Sequence, residues 1–140
     1  MTIFWFFFLL LDLIIPITLA ILGTQFKKNP PKNFSTLFGY RTTRSMKDYD
    51  SWVFAHKVCG NIWQKLGFAM IPVTIISMLL VIKESITLTG ISCLSLCLIQ
   101  IVLTTLTIFP VEFVLKKREK KLLEKNSDSS QKKKKKKKKR

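Results

Sequence analysis

Acidic side chains and histidine are scarce in this chain: eight Asp and Glu stand against 24 Lys and Arg, and His56 is the single histidine. No nucleophile, base and orienting group recur at workable spacing, so the chain does not read as an enzyme. Three cysteines, Cys59, Cys93 and Cys97, form no disulfide framework. Cys93 and Cys97 are four residues apart and so share a helix face, but no histidine accompanies them; they read as packing, and neither a metal site nor a cofactor is expected. On the orientation derived below, Cys59 faces a reducing compartment and is a free thiol.

Charge is also nearly absent from three long apolar blocks. Thr2 to Phe26 holds one charge, Asp12, while Leu66 to Ile82 and Ser85 to Val111 hold none. A bilayer core of roughly 30 Å takes about 20 helical residues, so the first and third blocks span it, and the second does once Ile62 and Trp63 are added and Lys65 snorkels. The fold class is therefore all-α integral membrane, with spans at about residues 2–25, 62–82 and 86–113 in a membrane domain of residues 1–115. No basic residue precedes Lys27, so the first block reads as an anchor rather than a cleaved signal peptide.

Basic residues are distributed unevenly between the two sides. Eight lie between the first two spans, one (Lys83) in the next hairpin, and fifteen in the tail, residues 116–140. Basic loops stay cytoplasmic, so the N-terminus is expected outside and the first loop and C-terminus inside the cell membrane. The tail carries +12 of the net +16 and ends in eight lysines and an arginine. It is expected to be disordered beyond about Asn126 and drawn to anionic lipid, and it does not indicate a folded surface for specific nucleic-acid binding.

Between the first two spans, Pro30 and Pro31 stop the first helix and Gly39 marks a second bend. Ser45 to Asp48 then reads as a capping box with Ser45 as N-cap. From Met46 a helix is expected to run through a kink at Pro72 to Ile82. That is longer than the bilayer, so its first half is a cytoplasmic or interfacial helix. Trp52, His56, Cys59, Trp63 and Leu66 share one face of it, which is expected to close against the loop from Gly39 to Arg44.

Two acids inside or beside the spans need partners. Asp12 lies near mid-membrane four residues before Pro16; it reads either as a neutral carboxyl bonded to Ser or Thr of the third span or as a proton carrier. Glu112, at the inner end of the third span, is expected to pair with Arg41. His56 reads as a hydrogen-bonded interface residue.

Gly39, Tyr40, Arg41 and Thr42, then Ser45, Met46 and Lys47, then Trp52, Ala55, His56 and Gly60 occur in an order that resembles the signature of the SdpI-type bacterial immunity family. The resemblance covers roughly Phe34 to Gly67 and extends to the three-span layout. Ser35 and Asp48 stand where the family pattern has asparagine, and the poly-lysine end lies outside it. The resemblance implies protection against a secreted peptide toxin, or sequestration of a transcriptional repressor at the membrane. The binding or structural surface would comprise Gly39, Tyr40, Arg41, Thr42, Arg44, Ser45, Trp52, His56 and Trp63. The competing reading is a small proton-coupled exporter built on Asp12.

Overall fold

A computed structural model describes the backbone of residues 2–31 and 39–137 and the side chains of residues 3–31 and 39–127. Four helices follow in order: α1 (Thr2–Lys28), α2 (Tyr49–Leu80), α3 (Ile86–Leu106) and α4 (Ile108–Lys137). Among the described residues there is no strand. Three stretches, Ile3–Lys28, Tyr49–Leu80 and Ile86–Ser127, are long and apolar enough to cross a membrane. Their outward residues, such as Phe6, Leu10, Ile14, Val73, Ile76, Leu94 and Leu98, are large, apolar and exposed, as lipid-facing side chains are.

The main interface is between α1 and α2, which run antiparallel. On α1 the buried stripe is Trp5, Asp12, Pro16, Leu19, Ala20, Gly23 and Phe26, at helical spacing. On α2 it is Trp52, Ala55, His56, Cys59, Gly60, Gly67, Met70, Thr74 and Met78. Glycines bring the two backbones together. A Cβ on Gly60 would lie 2.6 Å from the Lys27 nitrogen, and one on Gly67 would lie 2.5 Å from the Ala20 nitrogen and 2.7 Å from the Pro16 carbonyl. With little hydrophobic drive between helices in lipid, such close approach supplies the packing energy. At the far end, Trp5 donates its indole N–H to the Met78 carbonyl at 2.8 Å.

α2 is continuous through Pro72, as the sequence leads one to expect, but its start differs. Asp48, not Ser45, is the N-cap: it accepts from the Ser51 amide at 2.7 Å, and the Ser51 hydroxyl donates back at 3.1 Å. A carboxylate at this position also meets the positive end of the helix, which makes Asp48 the stronger cap.

The third span is broken rather than smoothly continuous. Pro110 lacks an amide hydrogen and its ring crowds the carbonyl four residues earlier, that of Leu106, where α3 ends. Thr107 closes the junction: its amide bonds the Thr104 carbonyl at 3.2 Å, and its hydroxyl donates to the same oxygen and accepts from the Trp63 indole at 2.9 Å. α3 is tied to α2 inside the bundle by Gln100, whose amide donates to the Thr74 hydroxyl at 2.8 Å. The backbone of α4 stays helical to Lys137, whereas the sequence reading ends order near Asn126. No Pro or Gly interrupts that segment and lysine is a good helix former, although neighbouring like charges oppose it.

Replacing Gly60 by Ala should destabilise the bundle by about 1–3 kcal/mol, because the clash is with backbone and no rotamer relieves it. Gly90 offers the contrast: a Cβ there meets only the Phe8 ring edge at 3.6 Å. Gly90→Ala should raise the unfolding midpoint in micelles where Gly60→Ala lowers it.

Candidate functional site

The loop, the start of α2 and the start of α4 meet at one end of the bundle, and His56 is the centre of that meeting. It is fully buried, packed at a tilt of 51° on Trp52 with ring centroids 4.2 Å apart and met edge-on by Phe26 of α1 at 5.0 Å. The Tyr40 amide donates to His56 Nε2 at 3.0 Å, and Nδ1 lies 2.8 Å from the Trp52 carbonyl. An amide N–H only donates and a carbonyl only accepts, so the imidazole is neutral with its proton on Nδ1. Gly39 makes this approach possible. Its φ of +121° is one that L side chains rarely adopt, and a Cβ would collide with His56 Nε2.

Beyond Tyr40 the loop is fastened by Ser45, which is fully buried. Its hydroxyl accepts from the Thr42 amide at 2.8 Å and lies 3.0 Å from both the Tyr40 and the Thr42 carbonyls. The Ser45 amide donates to the Thr42 hydroxyl at 3.2 Å. This tight turn swings Arg44 toward α4. Arg44, rather than the expected Arg41, donates to Glu112 at 3.0 Å and reaches Glu119 at 3.3 Å. Arg41 precedes the turn and is exposed. Lys47 completes the network, 2.6 Å from Glu119. These pairs are solvent-facing and individually weak; together they set the register of loop against α4.

Tyr40 packs with Ala55, Cys59, Val111 and Leu115 beneath the loop, and its hydroxyl lies 3.3 Å from Glu112 and 3.4 Å from the Ile108 carbonyl. On the α4 side, Arg118 donates to the Asp50 carbonyl at 2.9 Å and covers the Phe54 ring at 4.3 Å. Outside, a groove is lined by Arg44, Lys47, Ser51, Arg118 and Glu119 over Leu115 and Leu122. Trp52 closes the other flank by donating to the Pro31 carbonyl at 3.0 Å. The structure therefore gathers Gly39, Tyr40 and Trp52 around the buried His56 imidazole, with Thr42, Ser45 and Arg44 in the adjoining turn and Trp63 a step deeper on the Thr107 junction. Arg118 and Glu119 were not singled out from the sequence, because charges in a basic helix look alike until their partners are placed, and Lys47 was read only as part of the loop motif.

Asp12 belongs elsewhere. It is fully buried between α1 and α3, and its partner on the third span is a thiol rather than a hydroxyl: Cys97 Sγ lies 3.0 Å from Oδ1. Cys93 Sγ points to the Phe8 carbonyl at 3.8 Å. All three cysteines are free.

A helical membrane protein whose inter-span loop is locked by a glycine, a tyrosine amide and a buried histidine is the class this geometry defines. The profile of the SdpI/YfhL protein family matches residues 31–111, which cover the loop, α2, α3 and the first turn of α4, and the chain belongs to that family. No curated protein and no solved structure matches it.

The docked loop should have a pH window. A proton added to His56 Nε2 faces the Tyr40 N–H, so docking is lost as pH falls through the imidazole titration. On the alkaline side, burial pushes the Tyr40 phenol above its ordinary value, with Glu112 adding to the rise, and the hydrogen bond to Glu119 raises Lys47. Raised values mean stability that is present below the ordinary range and lost as pH climbs above it. Hydrogen-exchange protection of the Tyr40 amide, corrected for intrinsic rate, should fall at both ends; in His56→Gln the acid limb should vanish.

Proposed function

We propose that this chain is a non-enzymatic immunity or signalling protein that binds its partner with the docked loop at the inner face of the cell membrane. The orientation rests on the charge asymmetry between the first loop and tail and the single Lys83 of the outer hairpin. The observation that carries the reading is the groove beside the loop. Its rim is charged, with Arg44, Lys47 and Arg118 beside Asp48 and Glu119, its floor is apolar, and it is framed by the Arg44, Lys47, Glu112 and Glu119 network rather than filled by a side chain. Such a surface suits an amphipathic segment of a peptide toxin or of a transcriptional regulator. The first half of α2 is the interfacial helix that presents it, and the basic tail holds anionic lipid nearby.

Cells lacking the gene should be killed in mixed culture with their parent strain. An Arg44→Ala, Lys47→Ala double variant at normal membrane levels should restore at least about tenfold less survival than the native chain, equivalent to roughly 1.4 kcal/mol of lost binding. Full protection by that variant would retire the reading. Proton-coupled export is the second reading, favoured by the complete burial of Asp12. It requires Asp12→Asn to abolish protection, which the loop reading does not.

A further inference from the structure

Three groups that could ligate a metal converge between α1 and α3, well away from the loop. One oxygen of Asp12 and the sulfurs of Cys93 and Cys97 all lie within 4.8 Å of one another. The two thiols come from one helix face at a spacing of four, and the carboxylate comes from a helix 85 residues away in sequence. Asp12 is fully buried, and its Oδ2 has no hydrogen-bond partner among the described residues. Inside an apolar bundle an unpartnered polar oxygen costs about 1–3 kcal/mol; Gln100 Oε1 shares that lack, and it is the two thiols beside Asp12 that turn this position into a candidate ligand site. Simple packing would be served by Ser, Ala or Leu here, without a buried acid aimed at two thiols.

The geometry points to an intramembrane site for a thiophilic d10 cation such as Zn2+, held by Asp12, Cys93 and Cys97. Around one tetrahedral ion with Zn–S of about 2.3 Å and Zn–O of about 2.1 Å, sulfurs sit roughly 3.8 Å apart and sulfur to oxygen roughly 3.6 Å. The 3.0 Å approach of Cys97 Sγ to Asp12 Oδ1 needs to open by only about 0.6 Å to reach that arrangement. Two sulfurs and one oxygen suit Zn2+ or Cd2+ and not Mg2+ or Ca2+, which take oxygen shells. Protons and charges balance as ligation chemistry requires. The carboxyl and both thiols release their protons on ligation, and the +2 ion then offsets two of the three ligand charges and leaves a net −1. Three protein ligands leave a fourth position open, as in sites that exchange or pass on their ion rather than only brace a fold.

The full chain, purified in micelles with reductant and then desalted, is titrated with Co2+ as a spectroscopic substitute for zinc. One equivalent should produce a thiolate-to-cobalt charge-transfer band that Zn2+ abolishes by displacement. Cys59→Ser should keep the band; Cys93→Ser and Cys97→Ser should each lose it. Asp12→Asn should weaken binding by about tenfold or more, the usual effect of losing an anionic ligand. No saturable band, or one that survives loss of both Cys93 and Cys97, overturns the site. A second measurement needs no variant. On the native chain, Zn2+ should slow alkylation of Cys97 by a membrane-permeant maleimide, and an unchanged rate overturns the site even if the variants misfold. Neither readout depends on toxin protection.

Discussion

The structure depends on α1 and α2 touching through backbone. Gly23, Gly60 and Gly67 carry no side chain at the points where the helices cross, and each is backed by peptide atoms of the other helix rather than by a movable side chain. In water such a contact would be one term among many. In lipid, where apolar side chains lose nothing by facing outward, close van der Waals contact and interhelical hydrogen bonds are what hold helices together. The Trp5 bond to Met78 and the Lys27 to Gln64 to Thr24 chain mark the two ends of this seam.

Everything at the loop end follows from that seam. Because Gly60 lets α1 come so near, Phe26 lies against His56 and Trp63, which leaves the imidazole one open edge. The loop fills that edge with a backbone amide, and only Gly39 can turn the chain into position there. Tyr40 then drops between α2 and α4, and the following turn delivers Arg44 to Glu112. The histidine thus links the packing of the first two helices to the placement of the charged groove, without contacting the groove itself.

The parts of this arrangement legible in the sequence are those set by solvent and by short-range chemistry. Three apolar blocks fix three spans because nothing else accommodates them, and the Trp52, His56, Cys59 face was readable from its spacing. Two of the differences share one cause: each concerns a choice between equivalent groups a few residues apart. Ser45 and Asp48 can both cap a helix; Arg41 and Arg44 can both reach an acid. Which one does so depends on the turn that Ser45 makes with Thr42, a tertiary detail with no periodic signature. The glycine seam was not read from the sequence: Gly60 and Gly67 are one heptad apart on α2, but their counterpart Gly23 carries no motif. The meeting of Asp12 with Cys97 was hidden because nothing in either helix alone specifies how α3 is rotated against α1.

Asp12 and His56 show two opposite ways of handling a polar group away from water. His56 has both ring nitrogens engaged by groups of fixed role, so its protonation state is dictated and it stiffens the loop end. Asp12 has one oxygen engaged by a weak sulfur donor and the other by nothing among the described residues. Gln100 in the same bundle is also half-satisfied, its amide bonded to Thr74 and its Oε1 without a partner among the described residues, so what sets Asp12 apart is the pair of thiols beside it. A carboxyl left half-satisfied beside two thiols fits the proposed cation site. The proposed cation would sit between α1 and α3 in the middle of the bundle, while the loop docks between α2 and α4 at one end, so the two places can carry separate tasks on one glycine-packed frame.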